Sequence, residues 1–314
     1  MKRNKYISIT VLIAVTIAII LYLCAQPQLL TSLSNLSWSL MALIIICRFF
    51  FLMTNGLYQK AFANKFEVDL KFVEWFGLSI VTTMGNYMTP FSGGMVFRAA
   101  YLKHQHKFAY ARFATLIASN YLVVFWVVGV VGFGVLISFF PLREVYLRLA
   151  LFFLAVSMII STLILLPNIR LPGNYPLVIS LNISLEGWNA VKNDRKLLVQ
   201  LALYTVLNIL LNGLSFWIAY IAVGVQISFP SALLISLIGV FSILLNVTPG
   251  NLGIQEVVIS ISSNLLGAGS GEGLLVALIV RTSTLLLVFV LGPIFSYILT
   301  KKLAVLKSQS HASP

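Results

Sequence analysis

Apolar residues dominate this chain in long runs, separated by short polar and basic interruptions. Six runs are long enough, or nearly so, for a helix to cross a bilayer, which takes about 20 residues: 7–24, 36–57, about 113–140, 149–166, 198–223 and 273–299. Two other stretches, 72–87 and 229–246, are shorter, and each ends in an Asn/Thr/Pro/Gly-rich break. A further short apolar piece follows each break, 95–102 and 254–266, and neither half makes a comfortable span. The pattern predicts two re-entrant hairpins, pairs of short helices that return to the side they entered from. The expected fold is therefore an all-α polytopic membrane protein with about six transmembrane helices and two inverted re-entrant helical hairpins.

Composition removes the soluble alternative. Only 9% of residues are charged and 60% are hydrophobic, whereas a soluble domain carries about 25% charge to cover its surface. No polar stretch is long enough for a separate soluble domain, so residues 1–314 read as a single integral membrane domain. Cys24 and Cys47 both lie in apolar runs and suggest neither a disulfide framework nor a zinc site.

The net charge of +13 raises the question of nucleic acid. Its distribution argues for membrane topology instead, because the basic residues cluster between apolar runs and no nucleic-acid motif accompanies them. With the N-terminus inside, the inner face receives Lys2, Arg3, Lys5, Lys60, Lys65, Lys71, Arg98, Lys103, Lys107 and Arg112. It also receives Arg170, Lys192, Arg195, Lys196, Lys301, Lys302 and Lys307. Arg143 and Arg148 remain outside, while Arg48 and Arg281 fall within spans. The positive-inside rule is strongly satisfied, which predicts a multi-pass protein of the cell (cytoplasmic) membrane with both termini cytoplasmic. The first run is longer than the roughly 7–15 residues of a cleaved signal and lacks a small-x-small site after it, so an uncleaved signal anchor is expected, with cleavage as the alternative.

The two breaks can be superposed. Asn86-Tyr87-Met88-Thr89-Pro90-Phe91-Ser92-Gly93-Gly94 and Asn246-Val247-Thr248-Pro249-Gly250-Asn251-Leu252-Gly253 share Thr-Pro and a Gly four residues after the Pro. Each sits after a long span and a short apolar segment, which suggests repeats at about 36–140 and 198–299. The preceding spans run in opposite directions, so the repeats are inverted, an arrangement that places transporter substrate sites near the midplane. Broken helices leave backbone groups that only protein or a water-filled cavity can satisfy. Helix N-termini after Gly94 and Gly253 would suit an anion such as phosphate. The plainer alternative is that Pro and Gly only kink packed helices.

Charges in the apolar runs ask for a reason. Glu256 follows the second break and Arg281 lies in the last helix, as a structural ion pair or as groups that meet a charged headgroup or a coupling proton. Arg98, four residues after Gly94, could grip phosphate bidentately. Arg48 is expected either to snorkel or to pair with Glu74. Asn120, Asn208 and Asn212 read as interhelical glue, and His104 and His106 fall on different helix faces, against a metal site. Leu177, Ile179, Leu181, Ile183, Leu185 and Trp188 alternate with mostly polar neighbours, predicting an amphipathic element on the cytoplasmic surface. Neither a nucleophile–base arrangement nor a metal or phosphate-loop motif appears, so no catalytic residue, metal or cofactor is expected.

The stretches NYMTPFSGGMVFRAAYLKH (86–104) and NVTPGNLGIQE (246–256), with the later Arg281, resemble the transmembrane region of lysylphosphatidylglycerol synthases and related flippase-like membrane proteins. The resemblance covers roughly residues 5–300 and is strongest at Pro249, Gly250, Gly253, Glu256 and Arg281. At the first break Met95 stands where the family commonly has Glu, while Arg98 is retained. The family's aminoacyl transfer belongs to a separate soluble domain and is not carried over. The resemblance implies movement of an anionic lipid or lipid-linked intermediate between leaflets, with Thr89, Pro90, Gly94, Arg98, Thr248, Pro249, Gly250, Gly253, Glu256 and Arg281 contacting the substrate. The alternatives are a membrane enzyme or enzyme subunit acting on a polyprenyl-phosphate-linked glycan or lipid, and a non-catalytic assembly partner. The expected partners are a membrane lipid or lipid-linked substrate and, potentially, an enzyme, with no nucleic acid.

Overall fold

A computed structural model describes residues 37–89, 92–141, 143–168, 171–173, 175–245 and 248–311. The first predicted span and Cys24 lie outside these residues, as do Pro90, Arg170, Asn246 and Val247. The described residues form ten α-helices and no strand. Helices α1 (Trp38–Lys65), α2 (Phe72–Met88), α3 (Gly93–His106), α4 (Tyr110–Phe139) and α5 (Glu144–Leu165) make up the first half. They are followed by α6 (Pro176–Lys192), α7 (Arg195–Val223), α8 (Phe229–Val240), α9 (Ile254–Leu265) and α10 (Ser270–His311).

Helices are what an apolar solvent permits, because each segment pairs its own backbone N–H and C=O groups. Five of them, α1, α4, α5, α7 and α10, are long and apolar enough to cross a membrane. In α5 only 22% of the most apolar window is buried against protein. Large apolar side chains such as Met158 and Ile159 on α5 and Phe289 and Val290 on α10 are therefore left facing outward, a surface that needs lipid rather than water.

The remaining helices are shorter. Stretches α2–α3 and α8–α9 each form a helical pair closed by a break. Across the first pair, Gly85 lies against Gly94 and Thr82 against Arg98, so the two helices run antiparallel. In the second, Gly239 packs against Ile259, and 3₁₀ turns at Phe241–Leu245 and Pro249–Asn251 carry the chain between the helices. Helix α6 occupies the segment of alternating residues; its apolar positions 177, 181, 185 and 188 also satisfy a helical spacing.

The chain divides into two compact units, neither continuous in sequence. The first comprises the described residues to Met53, with Gly77–Arg98 and Ile209–Ile298. Its core joins Ile44 and Cys47 of α1, Phe216 and Tyr220 of α7, Ile235 of α8, Ile259 of α9 and Val276 and Val280 of α10. The second comprises Thr54–Phe76, Ala99–Asn208 and the chain from Leu299. Within it, Gly129 and Gly132 of α4 bring Phe153 and Ser157 of α5 into close contact. Asn208 donates to Thr54 Oγ1 at 2.7 Å and so ties α7 to α1.

Candidate functional site

The second break is a sequence of left-handed backbone positions: Gly250 at φ 58°, Asn251 at 57° and Gly253 at 89°. Glycine adopts this region freely, and Asn is among the few other residues that do so often. Gly250 is required for space as well, since a Cβ there would run into the Tyr87 ring. Thr248 is buried and donates its hydroxyl to Leu252 O at 2.8 Å, while Asn251 Nδ2 donates to Ser242 Oγ at 2.8 Å.

Two charged side chains then satisfy the backbone that the break exposes. Arg281, reaching over from α10, donates Nη1–H to Gly250 O at 2.7 Å and Nη2–H to Gln255 Oε1 at 3.1 Å, with Asn251 O at 3.4 Å. Its Nε forms an ion pair with Glu256, and both groups are at most 6% exposed. Glu256 Oε2 in turn accepts the Gly253 N–H at 2.7 Å, at the start of α9. A carboxylate there meets the partial positive charge of the helix N-terminus. Glu256 and Arg281 are thus brought together, with Pro249 and Thr248 buried beside them.

The first break is built more lightly. Thr89 is exposed and donates its hydroxyl to Gly85 O at 2.6 Å. Ser92 takes a φ of 56°, and Met95 N–H donates to Ser92 O at 2.9 Å. Gly94 is buried with its Cα against Thr82 O, where any Cβ would collide with that carbonyl. Arg98, 7% exposed, lies back along the hairpin and donates Nε–H to Thr82 Oγ1 at 2.9 Å. Met95 is half-buried in the first turn of α3.

The two breaks touch. The Tyr87 ring covers Gly250, and the Arg281 guanidinium carbon lies 5.5 Å from that ring's centroid. Arg48 of α1 lies within electrostatic range of Arg281 and near the Tyr87 phenol. Arg48 neither snorkels nor pairs with Glu74. It turns inward to 7% exposure, donates to Thr284 Oγ1 at 2.8 Å and Asn212 Oδ1 at 2.7 Å, and stacks 3.9 Å from the Phe51 centroid. All of these residues belong to the first unit. Tyr87, Thr82 and Thr284 were not legible as site residues, since none is an unusual residue in an apolar segment, whereas Asn212, expected to bridge helices, does so through Arg48.

Glu74 belongs to a different cluster in the second unit. It is 3% exposed, accepts from Tyr101 Oη at 2.8 Å and from Lys71 N–H at 3.1 Å, and faces His106 Nε2 at 3.2 Å and Lys302 Nζ at 3.7 Å. Burial alone would raise its pKa, but the bonds from His106, Tyr101 and the Lys71 N–H outweigh it and hold the carboxyl at about 2.

Residues 7–292, which include both breaks, match the lysylphosphatidylglycerol synthase transmembrane region. The chain belongs to this family. No curated protein matches it. With five candidate spans, this lysylphosphatidylglycerol synthase transmembrane-region protein is a multi-pass membrane protein. The family match extends over Arg48, Arg98, Glu256 and Arg281 alike.

Proposed function

We propose that this protein moves an anionic lipid, or a lipid-linked intermediate, from one leaflet to the other. The observation that carries the proposal is the contact between the two breaks, Tyr87 on Gly250, beside the buried charges Arg48, Glu256 and Arg281. In this reading the chain is a single membrane domain of six spans, the five long helices and residues 7–24. Both termini lie on the cytoplasmic side, as the distribution of Lys and Arg supports. The pairs α2–α3 and α8–α9 are re-entrant and enter from opposite faces, so that about 36–140 and about 198–299 form inverted repeats.

Helix lengths support this. The 17 residues of α2, 14 of α3 and 12 of α9 rise only about 25, 21 and 18 Å, short of the roughly 30 Å hydrocarbon core. The headgroup passes along the breaks, beside Thr89, Pro90, Gly94 and Arg98 on one side and Thr248, Pro249, Gly250 and Gly253 on the other. Its acyl or prenyl chains stay in lipid. Arg281 presents its charge to the headgroup while Glu256 holds it in place.

The test is translocation of a fluorescent phosphatidylglycerol in proteoliposomes. Arg281→Gln and Glu256→Gln, each compared at equal amounts of folded protein, are expected to lower the rate at least about tenfold, the loss of one charge-assisted bond. Wild-type rates in both variants would remove these residues from the path. A covalently altered lipid in the same vesicles would favour an enzyme acting on lipid-linked substrates instead.

A further inference from the structure

The buried charges around the two breaks do not cancel. Arg48, Arg98 and Arg281 stand against one buried carboxylate in this unit, Glu256. That carboxylate is already committed to the Arg281 guanidinium and the Gly253 N–H. Arg281 is likewise committed, to Gly250 O, Gln255 Oε1 and Glu256. Arg48 has no carboxylate against it among the described residues; its partners are a hydroxyl, an amide oxygen and an aromatic face, all neutral. An unneutralised charge inside an apolar span is expensive and marks function more often than packing.

The geometry around Arg48 orients the guanidinium without quenching it. Thr284 donates its own hydroxyl to Val280 O at 3.0 Å, so towards Arg48 its oxygen acts as an acceptor. Asn212 offers Oδ1 to Nη1, which leaves its Nδ2 amide as a donor beside the guanidinium. The Phe51 ring supports one face of the plane. Arg48 Nη2 and Asn212 Nδ2 make no hydrogen bond among the described residues. Two donors thus remain near one another, one of them charged, on a half-buried Asn212 and on Arg48, a residue 7% exposed.

We infer that Arg48 and Asn212 form a binding site for a phosphate group, with Arg48 supplying the charge and Asn212 Nδ2 a second donor. Adjacent donors of this kind grip two oxygens of one phosphate. The inference deepens the translocator reading and rests on it for the source of the phosphate, a lipid headgroup in the path between the breaks.

The experiment uses the purified full chain in non-ionic detergent, titrated with dihexanoyl-phosphatidylglycerol, inorganic phosphate or dihexanoylglycerol, with thermal unfolding as the readout. Wild type is expected to be stabilised by the phosphatidylglycerol and unaffected by the phosphate-free diglyceride. Arg48→Met should weaken phosphatidylglycerol binding roughly ten- to a hundredfold, the value of a hydrogen bond to a charged group. Because that substitution strands no carboxylate, the ligand-free variant should melt no lower than wild type. If Arg48→Met unfolds or melts well below wild type, Arg48 is a structural residue and the site is refuted. Equal binding in both proteins, or no stabilisation of wild type by either phosphate compound, refutes it too. Arg48-dependent stabilisation by inorganic phosphate but not by phosphatidylglycerol supports the site and assigns it to free phosphate. Loss of binding in Arg48→Met, with a wild type that moves no lipid in vesicles, keeps the site and rejects the translocator. Unchanged binding with a wild type that does move lipid leaves the translocator standing and rejects the site.

Discussion

Glu256 and Arg281 depend on each other and on the backbone they hold. Either one alone in this position is a charge buried at 1% or 6% exposure. Removing one partner of such a pair typically costs about 3–5 kcal/mol, chiefly because the other is left buried and uncompensated. Glu256→Gln and Arg281→Met should each destabilise the protein by about that amount, while the double variant should lose clearly less than the sum. Denaturant unfolding of all four proteins in one detergent measures this, and simple additivity would show that the pair is not coupled. The pair was legible in the sequence because lipid makes any charge conspicuous. The partner of Arg48 was not, because Thr284 and Asn212 are ordinary polar residues in apolar helices, whereas Glu74 was the conspicuous acid. Charge arithmetic along a chain finds ions, but not the neutral acceptors that hold them.

At the level of elements, hydropathy located two of the short helices almost to the residue, 72–87 against Phe72–Met88 and 254–266 against Ile254–Leu265, but fell short of α3 (95–102 against Gly93–His106) and overran α8 (229–246 against Phe229–Val240). It underestimated α1, which runs on from the apolar positions to Lys65, because a helix continues through the interface after its sequence has turned polar. What the sequence did not disclose was that the two breaks press on each other through Tyr87 and Gly250. That contact makes a prediction with two separable parts. Gly250→Ala introduces a Cβ both at φ 58° and against the Tyr87 ring. It should destabilise the protein by roughly 1–3 kcal/mol through overpacking, with about 1 kcal/mol more for the left-handed backbone. Tyr87→Ala removes the collision but not the backbone cost, so in that background Gly250→Ala should become milder without becoming neutral. Thermal unfolding of the single and double variants decides between these terms. Equal penalties in both backgrounds would mean that the ring does not confine Gly250.

For the whole molecule, the question is which apolar segments cross the bilayer. Among the described residues, five helices are long and apolar enough to do so. The topology proposed for α2–α3 and α8–α9 is a statement about sides, and it can be tested at the chain on either flank of each pair. Asp69 precedes the first pair and Lys103 lies in its last turn, while Gln226 and Ser270 flank the second; all four are exposed. The chain has only two cysteines, Cys24 and Cys47, so serine replacements give a background free of thiols. In that background Asp69→Cys and Lys103→Cys should both react with a membrane-impermeant maleimide only from the cytoplasmic side. Gln226→Cys and Ser270→Cys should both react only from the opposite side. If each pair instead crossed the membrane an odd number of times, its two flanks would label from different sides. That result would abolish the inverted hairpins and with them the reason to place a headgroup path at Tyr87 and Gly250. Same-side labelling within each pair, on opposite faces for the two pairs, would leave two helical breaks that no single soluble face reaches, which is the arrangement a lipid headgroup needs in order to be handed from one leaflet to the other.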